Sequence, residues 1–119
     1  MRENMPSVLA RAQKRALDWL ERVDERPVRA TASSEELRRI LGGPLPESGA
    51  APEKIVDELA SAAERGTTAC SGPRYFGFVI GGSLPAAVAA DWLVSAWDQN
   101  SGLYVMSPVV AVIEQITGA

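Results

Sequence analysis

The sequence contains no histidine and a single cysteine, Cys70. The first absence removes imidazole as a general base and leaves too few ligands for the usual zinc sets. The second removes any internal disulfide. A basic excess is lacking as well: 12 Lys and Arg stand against 15 Asp and Glu, for a net charge of -3. That balance argues against nucleic acid as a partner, because phosphate backbones are held by clustered cations. The longest weakly charged stretch, Tyr75 to Trp97, is interrupted by Pro85, Asp91 and three glycines, whereas a bilayer span takes about 20 apolar residues without such breaks. No membrane partner is expected. A lone cysteine and an N-terminus without an apolar signal region suit a soluble protein in a reducing, cytoplasmic setting. At 119 residues there is room for one domain of ordinary size.

Charge is scarce in one half only. Up to Gly66 the chain carries 23 Asp, Glu, Lys and Arg; from Thr67 to Ala119 it carries only Arg74, Asp91, Asp98 and Glu114. Six of the seven aromatics (Tyr75, Phe76, Phe78, Trp92, Trp97 and Tyr104) share that charge-poor tail. A few helices cannot cover so much apolar surface, so an oligomer or a larger protein is expected. The chain accordingly divides into an amphipathic segment, 1–66, and an apolar one, 67–119.

The periodicity predicts mainly α structure. From Pro6 to about Asp24, Val8, Ala12, Ala16, Trp19, Leu20 and Val23 recur at steps of three and four and form one stripe of a helix that Pro27 stops. Ser33 and Glu36 read as a capping box before Leu37, Ile40 and Leu41. The run Gly42 to Ala51, with three Gly and two Pro, is a loop or linker. Pro52 opens a third helix with Ile55, Leu59, Ala62 and Ala63 on its apolar face and Gly66 as a left-handed cap. Beyond it, Tyr75 to Ile80 reads as extended or a short strand, an apolar run between glycines. Ser83 is expected to cap a fourth helix reaching about Gln99, apolar nearly all round and therefore packed on several sides. Ser107 and Pro108 open a fifth.

Candidate chemistry is thin. The run Gly77-Phe78-Val79-Ile80-Gly81-Gly82-Ser83 lacks the lysine of a nucleotide-binding P-loop. Its glycines either present amides to a small anion at a helix start or simply let the chain turn. Cys70 has no base partner, which points to a structural thiol. Asp91 and Asp98 stand about two helical turns, roughly 10 Å, apart and are too distant to cooperate directly. Trp92, Trp97 and Val88 suit a core better than a stacking platform.

Five strings in order carry more: Pro73-Arg74-Tyr75-Phe76-Gly77-Phe78, Gly82-Ser83-Leu84-Pro85, Ala90-Asp91-Trp92-Leu93, Trp97-Asp98-Gln99-Asn100 and Tyr104-Val105-Met106-Ser107-Pro108. Together with the opening Glu25-Arg26-Pro27-Val28, they resemble the N-terminal region of the group II pyridoxal-phosphate-dependent amino acid decarboxylases. The resemblance implies a helical arm followed by the first helices of a fold-type I, aspartate aminotransferase-like α/β enzyme, homodimeric through the arm. It also implies that Tyr75 to Gly82 lines the substrate pocket, so that Phe76, Phe78, Val79 and Gly81 bind substrate, and that Asn100 in the turn after the fourth helix reaches a neighbouring site. Apolar faces without charge suit an apolar or aromatic amino acid, while the same aromatics could simply pack the arm on its partner.

The family's histidine before the first motif's proline is replaced here by Gly72. By the same resemblance, the Schiff-base lysine, the ring-stacking histidine and the aspartate at the ring nitrogen lie beyond residue 119. The chain is therefore expected to bind no pyridoxal phosphate, to contain no catalytic residue or metal site, and to be a partial decarboxylase. The alternative is a stand-alone helical interaction module.

Overall fold

The computed structural model describes residues 4–119, and among them the regular elements are five helices: α1 (Met5–Glu21), α2 (Ser34–Leu41), α3 (Pro52–Gly66), α4 (Pro85–Trp97) and α5 (Pro108–Thr117). Two compact units divide the chain, Met1–Gly82 and Ser83–Ala119. This division falls later than the change in charge density at Gly66–Thr67.

In the first unit, α3 packs against both α1 and α2. Contacts between α1 and α3 ascend together along the two sequences: Ser7 with Glu53, Arg15 with Asp57, Arg22 with Glu64, Trp19 with Thr67. The helices are therefore parallel, with α2 in the connection. The expected stripe of α1 is the covered one, since Val8, Ala12, Ala16, Trp19 and Val23 are half-buried, though Leu20 is exposed. The helix ends at Glu21 rather than near Asp24; the amides of Val23, Glu25 and Arg26 still bond back to Leu20 and Arg22 in turns before Pro27.

Ser33 closes α2 as expected. Its hydroxyl accepts from the Glu36 amide at 3.1 Å, while the Ser33 amide donates to the Glu36 carboxylate at 2.9 Å. Both bonds satisfy amides that a helix start leaves orphaned. The bond from the Ser33 amide, joined by the nearby Arg65 guanidinium, holds the Glu36 carboxyl below its ordinary pKa.

Two expectations for α3 need correction. Its packed face is shifted: Ala62 is buried and Val56, Ala60 and Ala63 are half-buried, while Ile55 and Leu59 stand open at 53% and 61% exposure. Gly66 is not a left-handed cap, because the helix runs through it and Thr67 ends it in extended geometry. A Cβ on Gly66 would lie 2.8 Å from Leu37 Cδ2, so the missing side chain makes room for α2. The terminal carbonyl of Arg65 accepts from the amides of Thr31 and Ala32, which answers the orphaned end of α3.

Tyr75 to Ile80 is not a strand. It turns, with Phe78 at φ 55° and Val79 at φ 53°, and among the described residues no backbone bond joins 76–83 to another segment. A strand needs a partner to take its alternate amides and carbonyls, and the first unit offers no open edge.

In the second unit, α4 begins after Leu84 rather than Ser83 and ends at Trp97, with Asp98 left-handed at φ 47°. A proline at the first turn of α4 and another at that of α5 fits positions whose amides have no helical partner. α4 is apolar nearly all round, as expected. Within the second unit it is not packed on several sides: α4 and α5 do not pack on each other, and Leu93, Val94 and Trp97 are about half exposed or more.

Candidate functional site

The segment that carries most of the expected site residues has a fixed base and an open tip. At its base, Ala69 is buried and its amide donates to the Val28 carbonyl at 2.9 Å. Gly72 donates to the Ala69 carbonyl at 3.1 Å, and Tyr75 donates to that of Gly72 at 3.3 Å. A Cβ on Gly72 would stand 3.1 Å from the Val23 carbonyl oxygen and 3.3 Å from that of Ala69. The backbone thus lies close against the turn that follows α1, which leaves glycine as the residue that fits there without displacing a neighbour.

Arg26 joins the surrounding elements. Only 10% of its side chain is exposed; it pairs with Glu64 Oε1 at 2.6 Å, donates to the Glu64 carbonyl, and lies 5.5 Å from the centre of the Trp19 ring. Trp19 in turn donates from Nε1 to the Thr67 hydroxyl at 3.2 Å. A desolvated guanidinium needs such partners, and an aromatic face and a carboxylate supply them. The hydrogen bond from Arg26 is the main reason the Glu64 carboxyl sits below its ordinary pKa, with Arg22 adding to it. The Arg74 guanidinium reaches back to the Arg26 carbonyl. Nothing local in Glu25-Arg26-Pro27 announces this role, because the partner Glu64 is far along the chain; only the pairing of Arg with a following helix's Glu hints at it.

At the tip, Phe76 and Phe78 are 94% and 92% exposed and Val79 is fully so. Around Gly81 a Cβ would meet nothing within 4 Å. Left-handed geometry is costly for Phe and more so for β-branched Val, by about 1–2 kcal/mol each. Gly82 at φ 79° has the freedom that the turning role of this glycine run requires. Phe76, Phe78, Val79 and Gly81 therefore share one projecting segment of the first unit. Asn100 belongs to the second unit, where its Oδ1 accepts from the Gly102 amide at 2.9 Å and shapes the turn after α4.

The remaining candidates stay apart. Cys70 is a free, half-buried thiol, and Asp91 is exposed on α4. Neither lysine fits a pyridoxal phosphate site: Lys14 pairs with Asp18 at 2.7 Å and Lys54 with Glu58 at 3.6 Å, both on open helix surface with no phosphate cradle beside them. No step of cofactor chemistry is assigned to this chain. Among the described residues there is no metal-ligand cluster, and no helix is long and apolar enough to cross a membrane.

No protein-family model matches the sequence, and no curated protein matches it. In fold, the chain is similar to mouse CSAD, whose crystal structure is of the apo form. The TM-score is 0.84 at 18% sequence identity, over 98% of this chain and 25% of that one. The chain spans about a quarter of the length of mouse CSAD, and its five helices share the fold of that quarter.

Proposed function

We propose that this chain supplies the N-terminal helical region of a pyridoxal-phosphate-dependent amino acid decarboxylase, a carboxy-lyase working as a cytoplasmic homodimer of fold-type I subunits. The observation that carries this reading is the fold match across the whole chain to one quarter of such an enzyme. The ordered motifs from Pro73 to Pro108 and the uncovered apolar surface of the second unit support it. Pyridoxal phosphate, held by residues outside this chain, supplies the electron sink for loss of carbon dioxide. The chain's own contribution is binding and shape: α1 and α3 carry the arm, and Phe76, Phe78, Val79 and Gly81 form the side-chain end of the amino acid pocket. Asn100 extends toward a neighbouring site from the turn after α4.

The tip offers aromatic and aliphatic surface without charge, which favours an apolar or aromatic side chain over a carboxylate-bearing one. In the whole enzyme, Phe78→Ala is expected to raise KM or shift preference among amino acids while cofactor binding is kept. Unchanged substrate kinetics with a weakened dimer would assign the segment to subunit packing instead.

A further inference from the structure

We propose that Arg74 is a positioning residue for the Phe76–Gly81 segment, acting through the carbonyl of Arg26; the inference rests on the reading of that segment as part of the substrate pocket. The tip has no support of its own: its large residues are exposed, and its two left-handed residues are held by no bond to another segment. Its direction is therefore set at the base. Three features act there together: the bond from the Ala69 amide to Val28, the close seat of Gly72 against Val23, and the guanidinium of Arg74 on the carbonyl of Arg26.

Of these, the Arg74 bond lies nearest the tip, two residues before Phe76. It also ends on a residue whose largely buried side chain is bound to both α1, through Trp19, and α3, through Glu64. A charged donor on a carbonyl is among the stronger hydrogen bonds, and a mainly buried acceptor residue gives it a rigid anchor. The arm's rigidity is thereby passed to the base of a segment that lacks rigidity itself.

Amide hydrogen exchange on the 119-residue chain tests the anchor. Arg74→Gln should speed exchange of the Gly72 and Tyr75 amides about tenfold, the effect of losing one charged hydrogen bond, and leave amides in the middle of α1 and α3 unchanged. Arg74→Lys, which keeps a cationic donor, should recover most of the protection. Wild-type exchange in Arg74→Gln, or an equal increase throughout α1 and α3, would overturn the anchor. In the whole enzyme the same substitution should raise KM several-fold with kcat little changed, because the segment binds substrate and does no chemistry. An unchanged KM alongside faster exchange would overturn the positioning role. A wild-type enzyme without decarboxylase activity would strike the proposed function itself, and the exchange result would still decide whether the anchor exists.

Discussion

Leu37 of α2 occupies the space that a side chain at position 66 of α3 would need, with its Cδ2 only 2.8 Å from where that Cβ would stand. The shortest helix of the arm is thus seated on a glycine, and its cap and this contact together fix where it lies. Gly66→Val should destabilise the first unit by about 1–3 kcal/mol through overpacking, and Leu37→Ala in the same chain should recover part of that loss. Urea denaturation followed by circular dichroism measures both, and additive costs would contradict the contact.

Ser33→Ala removes one half of the capping box and should cost about 1 kcal/mol, seen as lost helicity around α2. Ser34→Ala, one residue inside the helix, is the comparison and should cost less than half as much. Equal effects would show that the box contributes nothing.

Arg26→Ala leaves Trp19 and Glu64 without their shared partner and should destabilise the arm by about 1–3 kcal/mol, whereas Arg11→Ala, an exposed pair with Asp57, should cost under about 0.5 kcal/mol. Denaturation midpoints of the two variants give the comparison. A smaller loss for Arg26 than for Arg11 would contradict its role.

The pH dependence follows from Glu64, Glu36 and Glu53, each held below the ordinary glutamate value of 4.5 by hydrogen bonds, from Arg26, the Ser33 amide and Ser7 respectively. A carboxyl with a lowered pKa in the folded state stabilises fully above its unfolded value, and that stability is lost as pH falls through the folded one. The arm should therefore weaken on acidification below about pH 4.5, and Glu64→Gln should flatten that slope. Thermal midpoints across that range decide it; an unchanged slope in Glu64→Gln would contradict the pairing.

The residues themselves disclosed much of this architecture, and where they did not, the missing information was non-local. The α1 stripe, the Ser33 box and the prolines opening α3, α4 and α5 are local signals, and each is realised. Gly66 shows the limit: a glycine after an apolar face reads as a cap, but the reason for it is Leu37, far away in sequence. Ile55 and Leu59 fit the same helical stripe as the covered alanines, and only packing shows that α1 chose a neighbouring face. An apolar run between glycines resembles a strand by composition, yet Phe78 and Val79 turn because no edge is there to pair with. For the proposed pocket, the segment and its aromatic residues rest on the resemblance alone. The anchor formed by Arg26, Glu64 and Arg74 joins three distant stretches and has no local mark.

The proposed place of this chain as the N-terminal helical region of an amino acid decarboxylase is measured most directly by amino-acid-dependent release of carbon dioxide. With pyridoxal phosphate added, a whole enzyme that carries this chain should release carbon dioxide from at least one apolar or aromatic amino acid. The 119-residue chain alone should release none, and deleting its arm, residues 1–66, from the longer protein should abolish or strongly reduce the activity. Release by the isolated chain, or full activity without the arm, would contradict the account.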